Sequence, residues 1–160
     1  MTTTIYQDDA HILMGISMQD DTQLERNNMA LHVCEDPQNV LANREHLAQT
    51  LGHRLKDFVC ANQTHSATFY KVTAADKGRG ALTADDAIPE TDALYTFEPN
   101  IVLSSFTADC VPVLFYATDS TLVGAIHSGW QGTVKEISLK TFTYLRDVEG
   151  VDLTNVHVHI

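Results

Sequence analysis

Two apolar runs joined by a tight polar turn constrain this chain most. Residues 111–117 (VPVLFYA) and 121–127 (TLVGAIH) flank Asp119-Ser120, a connection short enough to predict an antiparallel hairpin. A third apolar run, 101–106 (IVLSSF), leads into them, and 57–62 (DFVCAN) and 67–73 (ATFYKVT) read as two more strands. Strand character is also expected at 10–17 (AHILMGIS) and 30–33 (ALHV).

Helices have equally local signals. Asp36 suits a cap and Pro37 the first helical position. Val40, Leu41, Leu47, Ala48 and Leu51 make one apolar stripe before Gly52, which predicts a helix over 37–51. A second helix is expected over about 133–147, on the stripe Val134, Ile137, Ser138, Phe142 and Leu145. Between these, 74–91 is rich in Ala, Asp and Gly without periodicity, a long excursion of the kind that is often functional or mobile. The final NVHVHI alternates like a strand and then stops, which suggests truncation. The pattern predicts a single α+β domain over 1–160, with mixed or antiparallel sheet and helices packed outside it.

Charge narrows the partners. With 21 acidic against 10 basic residues and a net charge of −11, no stretch is basic enough to favour nucleic acid or an anionic membrane. The start, MTTTIYQDDAHILMG, lacks the basic-then-apolar order of a signal peptide, and no apolar run reaches membrane-spanning length. Cys34, Cys60 and Cys110 form an odd set without framework spacing, which fits a reducing, cytoplasmic setting.

Three segments carry one soft-metal ligand each at the end of an expected strand: Gln-Thr-His65-Ser, Ala-Asp-Cys110-Val-Pro and Ile-His127-Ser-Gly-Trp. Two imidazoles and a thiolate are a donor set that zinc takes when a fourth position stays open. Their spacing matches no regular zinc finger, and an isolated cysteine is more often a small core hydrophobe, the role that Cys60 fits. Cys110 instead stands between Asp109 and Pro112, in turn chemistry. Cys110 with His127 or His65 also matches a nucleophile and its base in a cysteine hydrolase. His157 and His159, two apart on the terminal strand, form a possible metal clip but read first as solvated residues, as do His46 and His53.

The runs Ala108-Asp-Cys-Val-Pro-Val-Leu and Ile126-His-Ser-Gly-Trp-Gln-Gly-Thr133 resemble the laccase-domain family, the YfiH-like group once called multicopper polyphenol oxidases. The likeness extends to Asn62-Gln-Thr-His65, Thr91-Asp-Ala-Leu-Tyr-Thr96, Asn28-Met-Ala-Leu-His-Val, Asp36-Pro37 and Asn43-Arg44. It implies a layered α/β/β/α-type sandwich, incomplete here at the C-terminus by about a third of a full member. It also implies one zinc on His65, Cys110 and His127. The implied activity is phosphorolysis of purine nucleosides (adenosine, inosine, guanosine, methylthioadenosine) together with deamination of adenosine. Zinc fits that chemistry better than copper, because multicopper oxidation needs a larger histidine set.

Asp109 is the carboxylate nearest the ligands in sequence and the candidate general acid/base, although an Asx turn accounts for it equally well. Arg44 and Gln131 are the candidate substrate-binding residues. Gln131 stands where the family usually has Arg or Lys, which removes a fixed charge for phosphate. Ser66 stands where the family usually has Gly. A metal-binding module without turnover is the remaining alternative.

Overall fold

Alternation along four short strands builds the layers. The computed structural model describes residues 3–9 and 11–160, so Ala10, the first residue of the expected 10–17 strand, lies outside the described residues. A five-stranded mixed sheet runs in the order β4 (Phe69–Lys71), β5 (Ala93–Thr96), β8 (Val123–Ser128), β7 (Val111–Ala117), β9 (Val156–His159). Beside it lies a parallel pair, β3 (Phe58–Cys60) with β6 (Val102–Ser104). Successive strand residues face opposite ways. Ala93 and Tyr95 therefore join Val113, Phe115 and Ile126 in one core with Ile137 and Leu145 of helix α3 (Ile137–Asp147). Leu94, between them, packs with Val59 and Leu103 in a second core between the two sheets. Phe58 and Val102, one step along from Val59 and Leu103, turn outward onto Ala48, Leu41 and Leu47 of helix α1 (Pro37–Thr50). The layers are thus helix, two-stranded sheet, five-stranded sheet, helix, an α+β sandwich as the resemblance implies.

Helix α1 starts and stops where its sequence says. Asp36 accepts the Gln38 N–H at 2.9 Å. At the other end Gly52, at φ 72°, lets the His53 and Gly52 amides bond back to Ala48 and Gln49, closing the last turn. The 111–127 hairpin is antiparallel as expected, with Val113 opposite Ile126 and Phe115 opposite Gly124. β9 pairs antiparallel with β7 at the sheet edge.

Several expectations are corrected. Residues 30–33 form a turn and not a strand, because the Asn28 side chain takes the Ala30 N–H and donates to the Val33 carbonyl. β1 (Thr3–Asp8) was not expected; it pairs with β2 (Leu13–Ser17), the observed part of the 10–17 run. β5 was missed as well, although it lies next to the central strand β8. The second helix is broken: α2 (Trp130–Val134) begins three residues early, and Glu136 at φ 63° separates it from α3. That kink leaves Val134 74% exposed while Ile137 and Leu145 are fully buried. The 74–91 excursion is anchored, since Ala81 and Ile88 are fully buried and Ile88 bridges Ala61.

Candidate metal centre

One end of the five-stranded sheet collects four chain segments. β8 finishes with His127 and Ser128, and Ser128 lies opposite Val111 at the start of β7, so Cys110 sits immediately beside them. β5 starts at the same end: Ala93 faces Ile126, and the His127 N–H donates to the Asp92 carbonyl at 2.7 Å. The fourth segment is the 62–68 connection before β4, which carries His65.

That connection is tied down on every side. The Gln63 amide group grips the backbone of Phe106 twice, at 2.8 Å each, linking it to the segment that leads into Cys110. Three consecutive amides, of Thr64, His65 and Ser66, donate to the Asp92 carboxylate at 3.2, 3.0 and 2.7 Å. His65 is left-handed, at φ 58°, the conformation that lets successive N–H groups converge on one anion. Its carbonyl accepts from Lys135 Nζ at 2.8 Å.

The result brings together the three residues singled out from sequence. One ligand atom from each of His65, Cys110 and His127 lies within 4.8 Å of the other two, the one such metal-competent group of three or more among the described residues. Cys110 Sγ is 3.9 Å from His65 Nε2, and the two imidazoles meet edge-on with ring centres 4.9 Å apart. His127 is buried, whereas His65 and Cys110 are half-buried and face an open cleft of about 490 Å³. Two imidazoles and a thiol at this separation, with one side open to solvent, fit a borderline-soft divalent ion. Gly129 makes the convergence possible: a Cβ there would lie 2.8 Å from His65 Cδ2 and 3.0 Å from Cys110 Sγ.

Asp92 is the residue that sequence reasoning passed over. Its side chain is fully buried, lies 2.8 Å from His127 Nδ1 and accepts the Ser66 hydroxyl at 2.6 Å, besides the three amides. Burial alone would raise its pKa, but the bonds from His127 and Ser66 outweigh that and hold the carboxyl at about 2. Ser66 supplies two of those donors, its amide and its hydroxyl. Cys110 is pushed the other way: burial first, then the nearby Asp109 charge, raise its thiol.

The other expected site residues divide. Asp109 is exposed, lines the cleft with Val111, Ser128, Trp130 and Thr133, and has Oδ1 3.9 Å from Cys110 Sγ. Gln131, on α2, accepts from Lys135 Nζ at 3.4 Å. Arg44 lines a different cavity, of about 130 Å³, with His32, Asn62 and Phe106. Its guanidinium donates to the carbonyls of Met29, Gly80 and Ala81 at 2.7 Å each and lies over the Phe106 ring. His157 stacks on Tyr116, and His159 lies tilted against the Tyr6 ring.

Known proteins share this sequence and fold. The family model described as multi-copper polyphenol oxidoreductase laccase matches residues 14–160. The purine nucleoside phosphorylase YlmD of Bacillus subtilis is 38% identical over 136 residues, 85% of this chain and 49% of that protein. Its Geobacillus stearothermophilus namesake is 44% identical over 111 residues, 69% of this chain and 40% of that protein. Among solved structures, Bacillus licheniformis hypothetical protein YfiH superposes with a TM-score of 0.81 at 39% identity, over 82% of this chain and 49% of that one. The chain therefore spans about half the length of the relatives it matches. Its fold, its matched residues and these likenesses agree: the chain belongs to the multi-copper polyphenol oxidoreductase laccase family.

Proposed function

We propose that this chain carries the zinc site of a purine nucleoside phosphorylase that also deaminates adenosine. The observation that carries the reading is the convergence of His65, Cys110 and His127 beside an open cleft. Homologues named purine nucleoside phosphorylase supply the substrate class, a purine nucleoside and phosphate. A bound zinc ion supplies Lewis acidity toward water or a substrate oxygen. One metal-competent group among the described residues supports a single zinc over a multicopper centre.

The chain's own residues divide the remaining work. Asp109, exposed on the cleft wall, takes and returns a proton as general acid/base. Trp130, 73% exposed at the cleft rim, offers a face on which a purine stacks. Gln131 binds substrate through hydrogen bonds without charge, so the fixed cation nearest to it is Lys135, one turn further on. Arg44 acts from the second cavity, where burial first and then the Arg44 charge lower the pKa of His32 on its wall.

A metal-free cysteine hydrolase needs a thiol with lowered pKa. The raised Cys110 thiol speaks against it. Cytoplasmic placement is part of the proposal, supported by three free cysteines. No helix among the described residues is long and apolar enough to cross a membrane.

The test is metal content and turnover together. Elemental analysis should find one zinc per chain in the wild type and none in His65→Ala. Zinc-loaded wild type given adenosine and phosphate should release adenine or inosine. A zinc-loaded protein that forms neither product ends the enzymatic reading and leaves a metal-binding module.

A further inference from the structure

We infer that Asp92 is the positioning residue of this centre, one carboxylate that sets the tautomer of His127 and holds the His65 segment in place. The inference rests on the metal-site reading above and goes beyond it, to a residue that touches neither cleft nor ligand atom.

Both oxygens of the Asp92 carboxylate are engaged. Oδ1 accepts the His65 amide at 3.0 Å and faces His127 Nδ1 at 2.8 Å. Oδ2 accepts the amides of Thr64 and Ser66 and the Ser66 hydroxyl. The other partners of both oxygens, three amides and one hydroxyl, are donors to an ionised carboxylate, so the proton between Asp92 and His127 belongs to Nδ1. The lone pair of His127 then lies on Nε2, the only ring nitrogen left to meet a metal ion. The same oxygens fix the backbone of His65, whose left-handed conformation needs outside support because it is not a glycine. Two ligands from distant parts of the chain therefore share one buried anchor.

Asparagine tests this without changing size. Whichever way its amide turns, the NH₂ group faces donors, so either the His65 segment or His127 loses its acceptor. The tautomer of His127 is read by long-range ¹⁵N–¹H NMR on metal-free chain, and affinity by chelator competition with Zn²⁺ and by Co²⁺ absorption. Wild type should show His127 protonated at Nδ1. Folded Asp92→Asn should bind Zn²⁺ about 10–100-fold more weakly and show a changed tautomer or a shifted Co²⁺ spectrum. Ser66→Ala should weaken binding less than Asp92→Asn does, since it removes one donor and leaves the carboxylate. Wild-type His127 protonated at Nε2 overturns the inference, and so does a folded Asp92→Asn with unchanged affinity and tautomer. If Asp92→Asn does not fold, the wild-type tautomer decides. A wild type that takes no zinc defeats the metal reading, while the tautomer still decides the role of Asp92.

Discussion

Gly129 leaves no room between itself and Cys110: a Cβ on the glycine would stand 3.0 Å from the cysteine sulfur. Its φ of −72° suits any residue, so what position 129 requires is space and not conformational freedom. Gly129→Ala should keep the fold, seen as an unchanged circular dichroism spectrum. Crowding of this kind costs about 1–3 kcal/mol, which corresponds to zinc affinity about 10–100-fold weaker by chelator competition.

A second close approach lies inside the sheet. Phe115 lies directly across from Gly124, and its ring occupies the place that a Cβ would take. Gly124→Ala should destabilise the protein by about 2 kcal/mol in urea unfolding. Adding Phe115→Leu should recover part of that loss, because the two changes share one space.

Arg44 is expected to matter for stability before it matters for substrate. Replacing it by Met leaves the carbonyls of Met29, Gly80 and Ala81 without their donor inside the protein. The expected cost is about 3 kcal/mol in denaturant unfolding. Unchanged stability together with weakened nucleoside binding would assign Arg44 to substrate alone.

Acid should weaken the fold through Asp57. An ion pair with Lys77 at 2.7 Å, opposed by burial and helped by Arg54, holds its carboxyl well below the usual carboxylate range. A depressed folded pKa means that its stabilisation is complete above the unfolded value of about 4 and fades as pH falls toward the folded one. Asp57→Asn should thus be less stable than wild type at pH 7. The gap between the two should narrow steadily below about pH 4 in pH-dependent thermal melts.

Much of this was legible before any coordinates. Asp36, Pro37 and Gly52 delimit α1 because capping is local chemistry, and Asp119-Ser120 fixes the β7–β8 hairpin for the same reason. The layer order follows from alternation once the strands are known. β5 escaped notice because its four residues, ALYT, are too short for periodicity to show, and only their neighbours make them a strand. The break at Glu136 has no sequence signal, since a non-glycine at positive φ is imposed by packing on either side. Within the site, His65, Cys110 and His127 stood out as soft ligands in unusual turns. Asp92 did not, being one acidic residue among 21 with no local pattern to mark it. Its importance is wholly non-local, made by donors 26 to 35 residues away.

Asp92 and His127 are also neighbours on the β5–β8 ladder, joined through their backbones at 2.7 Å as well as through their side chains. Strand alignment and imidazole orientation are therefore one event. Sliding β5 past β8 by a single residue would turn Asp92 to the opposite face and leave His127 free to rotate. Ion capture at the proposed site would then serve as an audit of assembly: only a chain whose sheet had closed in the correct alignment would retain the ion, and a misaligned one would be distinguishable by its failure to do so.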